Sequence, residues 1–277
     1  MISPPYLDLF AVSSLLLFFE LASIRWFGST VVFLTFFTNI VLLATFLGMS
    51  VGSLSASGRR DWAGRVMPLL LAAAILACAT LWGYDRFGRL MVDVGGQGSP
   101  QQVYFGTEYR ARDPASFVVP IELLGASFFV LIALVFVGIG QAMGRAFAAA
   151  EDRLLAYISN LAGSLAGILA FALASFLRTP PVVWFGVIAL AWMACLRRRT
   201  VPQIAATVAT LLLMSLSSYN ATSWQPFSTS GAYDRIVWSP YYKVTYRPAT
   251  RAITTNNIAH QEMTPLGQAP SAYQLPY

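Results

Sequence analysis

The sequence has few charged residues, which make up 11% of its 277 positions. Soluble domains carry about 25% charged residues, so this composition excludes an ordinary soluble domain. Lysine occurs once, at Lys243, and the sequence pI of about 9.5 therefore comes from arginine. The arginines stand in short groups between apolar runs, as is typical of membrane-flanking charge and not of a nucleic-acid-binding surface. We therefore expect a membrane protein whose partner is the lipid bilayer, with no nucleic acid.

Histidine and cysteine are also scarce. The single histidine, His260, excludes a His-rich metal site, and we predict no bound metal. Cys78 and Cys195 both lie in apolar runs, which favours buried small hydrophobic residues over a disulfide framework. The opening stretch, MISPPYLDLF, lacks the basic region of a secretory signal peptide.

Apolar segments are what the sequence has in abundance. A span needs about 20 mostly apolar residues, and in lipid it must be helical because no water satisfies open backbone groups. Seven segments fit: 7–27, 31–54, 66–83, 117–142, 154–177, 182–196 and 201–218. We predict an all-α polytopic membrane bundle of about seven transmembrane helices over residues 1–218.

The connections between these segments are uneven. Residues 28–30 predict a tight turn in which Gly28 supplies backbone freedom. Residues 84–116, with VDVGGQGSPQQ at their centre, predict a solvent loop with a short surface helix over 84–92. Eight arginines lie on one side of the bundle and six on the other, which rises to ten basic residues when the tail is included. The positive-inside rule therefore does not decide the orientation.

Several polar side chains fall within the apolar segments: Glu20, Arg25, Asn39, Glu122 and Asn160. A charge at mid-helix costs about 3 kcal/mol, so Glu20 is expected to face the bundle, either as a structural contact or as a proton or substrate site. Arg25 lies near a helix end, from which it can extend to the lipid headgroups. The two amides are expected to form hydrogen bonds between helices.

Small residues recur at four-residue spacing in two segments. Ser159, Gly163 and Gly167 form one stripe, and Gly48 and Gly52 form another. Such stripes let a neighbouring backbone approach closely, which favours packing within the chain. A homo-oligomer built through these faces is the alternative that the spacing leaves open.

Residues 219–277 form a polar tail. Within it, YYKVTYR and AITT are rich in strand-forming residues, and Asn256–Asn257 is a turn signal that tolerates positive φ. We predict a β-hairpin over residues 241–259. An isolated hairpin is marginally stable in water. We therefore expect the tail to begin a truncated soluble domain, or another chain to complete its sheet.

Three stretches resemble the membrane-embedded spermidine synthase-like proteins of bacteria. FFELASIRWFGSTVVF is similar to the first helix and turn of their membrane region, and AYISNLAGSLAGILAF is similar to their small-residue helix. The run from SPYYKVTY to NNIAHQEM is similar to the opening strands of the small β-domain that precedes their catalytic domain.

The resemblance implies a parent reaction, aminopropyl transfer from decarboxylated S-adenosylmethionine to a polyamine. It places that cofactor and the catalytic residues in a Rossmann-like domain after the hairpin, so the chain as it stands is expected to be catalytically incompetent. It marks Tyr242, where relatives often carry glutamine, and also His260 and Gln261, as candidates for the edge of the ligand site. It further implies a bacterial inner-membrane protein with its tail in the cytosol and its N-terminus outside.

Two other functions remain open at this point. One is a transporter or channel for a small, cationic solute, with Glu20 and Glu122 lining its path. The other is a structural membrane anchor without chemistry of its own.

Overall fold

The computed structural model describes residues 5–31, 34, 38–87, 90–93, 117–196, 199–219, 235–248, 251–256 and 258–263. In this part of the chain, seven α-helices occupy the positions of the seven apolar segments. They are α1 (Pro5–Thr30), α2 (Thr38–Leu54), α3 (Val66–Phe87), α4 (Ile121–Ala149), α5 (Arg153–Phe176), α6 (Pro181–Cys195) and α7 (Val201–Tyr219). A short 3₁₀ turn, Ala63–Arg65, leads into α3.

Four helical stretches are long and apolar enough to cross a membrane: Pro5–Thr30, Ala63–Thr80, Glu122–Ala149 and Arg153–Phe176. The apolar parts of α2, α6 and α7 are shorter than 18 residues. The prediction of a helical bundle with membrane-spanning segments is therefore confirmed at the level of four candidate spans.

The predicted tight turn at residues 28–30 is wrong. Helix α1 continues through Thr30, and Gly28 and Ser29 lie inside it and are buried. The Ser29 hydroxyl donates to the Trp26 carbonyl at 3.1 Å, which satisfies this side chain within the helix. The chain therefore leaves α1 later than the glycine suggests, and α2 begins at Thr38.

Helix α1 lies at the centre of the bundle, where it contacts α2, α3, α4, α5 and α6. Its charged residues are Asp8, Glu20 and Arg25, and more than half of its residues are buried, which is typical of a helix with other helices around it. The Phe19 ring lies 5.0 Å from Phe136 of α4 and 6.3 Å from Phe185 of α6, between ring centroids. The core of the bundle is thus built around α1.

Local signals set both ends of α5. The Asp152 carboxylate accepts hydrogen bonds from the backbone N–H groups of Leu154 and Leu155, at 2.8 and 3.1 Å, and so caps the start of α5. At the other end Arg178 has a φ of 55°, and the N–H of Thr179 reaches back to the Ala174 carbonyl. This is a Schellman-type ending.

The polar connection between α3 and α4 contains a pair of strands. The surface helix expected over residues 84–92 does not form: α3 extends to Phe87, and β1 (Leu90–Asp93) follows as a strand. Its partner, β2 (Phe117–Pro120), runs parallel to it and stands where we expected the start of the fourth span. Residues 94–116, with most of the glycine-rich stretch, lie outside the described residues.

The tail folds as a four-stranded antiparallel sheet, not as a lone hairpin. Its strands are β3 (Arg235–Trp238), β4 (Lys243–Arg247), β5 (Ala252–Thr255) and β6 (Ile258–Glu262), in that order across the sheet. The hairpin prediction located β4, β5 and the turn at Asn256, whose φ is 49°. It missed β3 and did not assign β6 as a strand. Strands of this same chain therefore extend the predicted hairpin to a four-stranded sheet.

Candidate functional site

The most developed polar site lies where the bundle meets the sheet, around Arg25 in the last third of α1. One guanidinium nitrogen, Nη1, donates to the Ser175 hydroxyl of α5 at 2.6 Å. The other, Nη2, donates to the Ser239 carbonyl just after β3. The guanidinium carbon lies 4.8 Å from the ring centre of Trp184 in α6 and 5.7 Å from that of Trp238 in β3. Arg25 thus joins three helices and the sheet.

The charge of Arg25 is held by dipoles and aromatic rings. Among the residues that the structure describes, no carboxylate lies within ion-pair distance of it, and its Nε atom is buried without a partner. The two indole rings are 5.1 Å apart between centroids at 79°, and both are almost fully buried. Cation–π contacts gain strength where water is excluded. The expectation that Arg25 extends to the lipid headgroups is wrong, because its hydrogen bonds are made inside the protein.

A second cation strengthens the same junction. Lys243, the only lysine, is 8% exposed, and its ammonium lies 3.4 Å from the Ser29 carbonyl at the end of α1. A positive charge is favourable there because the helix macrodipole places partial negative charge at the C-terminus. In β4, Lys243 stands opposite Trp238 of β3, so both side chains lie on the face of the sheet towards the bundle.

Sequence reasoning missed Trp238, Lys243, Ser29 and Ser175 as members of this site. Their partners are more than 140 residues away in the chain, so no local pattern connects them. The available signal was composition, because Lys243 is the single lysine of an arginine-rich chain. In the structure it lies on the same strand face as Thr245, and both are buried.

Glu20 is the buried acid of the bundle, at 4% exposure on α1. The Thr45 hydroxyl of α2 lies 2.9 Å from Glu20 Oε1 and 2.7 Å from the Leu42 carbonyl. A hydroxyl carries one proton, so it can donate to an ionised Glu20, or donate to Leu42 while accepting from a protonated carboxyl. Glu20 therefore faces another helix, and its hydrogen bond with Thr45 is compatible with both the ionised and the protonated carboxyl.

The other predicted polar residues do not gather around Glu20 or Arg25. Asn160 accepts a hydrogen bond of 2.6 Å from the Ser13 hydroxyl, which links α5 to α1. Asn39 and Glu122 lie in the first turns of α2 and α4 and are exposed. The structure thus separates the candidates into two buried sites, one interhelical amide contact and two exposed positions.

The small-residue stripes lie against neighbouring helices of the same chain. A Cβ added at Gly48 or Gly52 would collide with backbone of α4, at the carbonyls of Ala133 and Val137. A Cβ added at Gly163 or Gly167 would collide with α1, at the carbonyls of Phe10 and Ser14. Ser159, on the same stripe, is half-buried. These faces are occupied within one chain.

The three candidates for a ligand edge are not brought together. Tyr242 precedes β4 and is 54% exposed, whereas His260 and Gln261 are exposed on β6, with β5 between the two strands. Gln261 pairs with Ile253, and Ala259 pairs with Thr254, so His260 is the extra residue of a β-bulge. The sheet alone therefore does not form a pocket from these residues.

Comparisons of the chain with models of known protein families, with curated proteins and with solved structures found no match. Within the described residues, no group of three His, Cys, Asp or Glu side chains could hold a metal ion.

Proposed function

We propose that this chain is the membrane-embedded part of an aminopropyltransferase-like protein, in which the helical bundle holds the first sheet of a soluble domain against one membrane face. The observation that carries the proposal is the junction around Arg25 and Lys243. Two cations on opposite sides of the junction each cross it, Arg25 from the bundle and Lys243 from the sheet. A sheet fixed in this way would give a following catalytic domain a defined position over the bilayer.

The proposal includes all seven helices as spans. Helix α6 has 15 residues and rises about 22 Å at 1.5 Å per residue, less than a hydrocarbon core of about 30 Å. A short span is accommodated by local thinning of the bilayer and by basic side chains at its ends. Arg178 precedes α6, and the arginines 197–199 follow it, which supplies such side chains at both ends.

The cofactor of the parent reaction is cytosolic, so the proposal places the sheet in the cytosol and the N-terminus outside a bacterial inner membrane. The bundle itself would contribute position and not chemistry. Transfer of the aminopropyl group would belong to a Rossmann-like domain after the sheet, which would bind decarboxylated S-adenosylmethionine and the polyamine.

The direct test is an aminopropyl-transfer assay on the protein from the full reading frame, reconstituted in nanodiscs, with putrescine and decarboxylated S-adenosylmethionine. We expect a glycine-rich turn after a strand within about 30 residues downstream of Tyr277, and measurable transfer. Arg25→Ala should reduce transfer by misplacing the sheet, whereas Arg145→Ala, at an exposed ion pair with Asp61, should not. Absence of transfer in the wild-type protein would refute the proposal.

Buried Glu20 favours transport of a small cationic solute as a second candidate. A carboxyl at a helix–helix contact that accepts a proton or cation is a common element of transport paths. Putrescine uptake into proteoliposomes that is lost in Glu20→Gln, while the variant still inserts and folds, would support transport. If transfer activity survives removal of the helices and no uptake occurs, the bundle acts only as an anchor.

A further inference from the structure

Helix α5 presents a continuous apolar stripe to the outside of the bundle. Its members are 56–64% exposed and recur every three or four residues: Leu161, Leu165, Leu169, Leu173 and Phe176. Only 22% of the most apolar stretch of this helix is buried inside the protein. A stripe of this length is covered by lipid if the bundle lies in a bilayer.

The β3–β4 turn is closed by its own hydrogen bonds and carries two exposed tyrosines. The Ser239 hydroxyl accepts hydrogen bonds from the N–H groups of Tyr241 and Tyr242, at 3.3 and 2.9 Å, and donates to the Tyr242 carbonyl at 2.9 Å. The Ser239 N–H donates to that carbonyl as well, at 2.9 Å. Tyr241 is 71% exposed and Tyr242 is 54% exposed. The exposure is therefore built into the turn, since four hydrogen bonds fix its backbone.

This turn continues the apolar stripe of α5. The Tyr241 ring lies 6.5 Å from the ring of Phe176, the last residue of α5, at an angle of 76°. Arg25 holds the turn there through the Ser239 carbonyl. Exposed Arg178 is the second residue after the end of α5, and its cationic side chain complements the anionic phosphate of a lipid headgroup. The turn and the end of the helix thus form one surface, apolar on the helix side and polar beyond.

We propose that the Tyr241–Tyr242 turn lies in the headgroup region of the same bilayer that covers the α5 stripe. Tyrosine is suited to this layer because its ring is apolar and its hydroxyl can bind water and headgroups. The sheet is then held at the membrane surface by lipid as well as by Arg25. This inference rests on the bilayer assignment of the proposed function, but it does not depend on aminopropyl transfer.

Site-directed spin labelling in nanodiscs of phosphatidylcholine and phosphatidylglycerol tests the inference. The labelling background is Cys78→Ala with Cys195→Ala, and single cysteines are placed by Tyr241→Cys, Leu169→Cys or Arg251→Cys. Arg251 is the matched control, because it is exposed in the β4–β5 turn, about 17 Å along the five residues of β4 from the tyrosines. Collision rates with oxygen and with a water-soluble nickel chelate report the depth of each label.

We expect position 169 to read as hydrocarbon, position 251 as water and position 241 as the interface between them. The oxygen-to-nickel collision ratio at 241 should exceed that at 251 several-fold. Tyr242→Cys gives an independent reading and should also exceed position 251. If both tyrosine positions match 251 while 169 reads as hydrocarbon, the inference is overturned and the bundle assignment stands.

Two other outcomes would also overturn the inference. If position 169 reads as water, no bilayer covers the stripe. If the labels at 241 show spin–spin broadening that disappears on dilution with unlabelled protein, a second copy of the chain covers the turn instead of lipid. Neither outcome bears on whether a following domain transfers aminopropyl groups.

Discussion

Replacement of Arg25 by alanine should release the sheet and spare the bundle. The contacts of Arg25 that reach the sheet are a hydrogen bond to the Ser239 carbonyl and the cation–π contact with Trp238. A hydrogen bond to a charged group contributes about 1.5–3 kcal/mol and a cation–π contact about 0.5–2 kcal/mol. We therefore expect the free energy of opening of the sheet to fall by about 3 kcal/mol. The opening equilibrium should rise on the order of 100-fold, because each 1.4 kcal/mol is tenfold.

The bundle should respond much less than the sheet. A positive charge in an apolar span costs about 2.5–3.5 kcal/mol, and Arg25→Ala removes that cost. The hydrogen bond to Ser175 of α5 and the cation–π contact with Trp184 of α6 are also lost, and together they offset the gain. We expect helix stability to be about unchanged, so the substitution separates the junction from the bundle.

Hydrogen–deuterium exchange in nanodiscs measures both effects in one sample. Peptides from β3 and β4 should exchange faster in Arg25→Ala, while peptides from α4 should not. Arg145→Ala is the control, because it removes an exposed ion pair with Asp61 that contributes about 0–1 kcal/mol. Unchanged exchange in the sheet, or an equal rise in sheet and bundle, would refute the reasoning.

Further substitutions test other contacts. Gly167→Ala should destabilise the protein by about 1–3 kcal/mol, because the added methyl group collides with α1. Gly186→Ala meets open space and should stabilise α6 by about 0.5–1 kcal/mol. Thermal unfolding in detergent distinguishes the two variants. Gln141→Leu should lower the free energy of unfolding by about 1–3 kcal/mol, because three backbone groups of the α2–α3 connection lose their only described side-chain partner. Protease should therefore cut that connection faster in the variant than in the wild-type protein. Glu20→Leu should leave stability unchanged or raise it in the same unfolding assay, because Thr45 retains a backbone acceptor; a large loss would contradict this.

The helices were accessible to sequence reasoning because lipid imposes a simple rule on composition. Runs such as 154–177 must be helical and long, and the structure has α5 over nearly the same residues. Helix ends were harder to place. Gly28 indicates a turn by local propensity, yet it lies inside α1, because burial of the helix end against the rest of the bundle outweighs the local signal.

The strands show why the remainder was missed. The four residues Leu90–Asp93 form a strand by pairing with Phe117–Pro120, which lies more than 20 residues later in the chain. Strand β6 contains a polar run, and a bulge interrupts its pairing with Ala252–Thr255. Its sequence therefore lacks the alternation of apolar and polar residues that would predict a strand. Such pairings are decided by contacts across the fold and not by the segment itself.

The junction around Arg25 lies at the same limit. An arginine near a helix end is compatible both with lipid headgroups and with a protein acceptor, and only the position of Ser239 decides between them. Lys243 alternates with tyrosines in a strand, which predicts two faces but not which face is buried.

The central claim is that a bilayer separates the arginine-rich connections from the sheet, with the sheet in the cytosol. Labelling with a membrane-impermeant maleimide in spheroplasts tests it, with Arg59→Cys and Arg251→Cys placed separately in the background without native cysteines. Both positions are exposed. Arg59 follows the C-terminal end of α2, whereas the sheet of Arg251 contacts the C-terminal end of α1, where α2 begins. The account predicts that position 59 reacts in intact spheroplasts and position 251 reacts only after lysis. Reaction of position 251 in intact spheroplasts would contradict it.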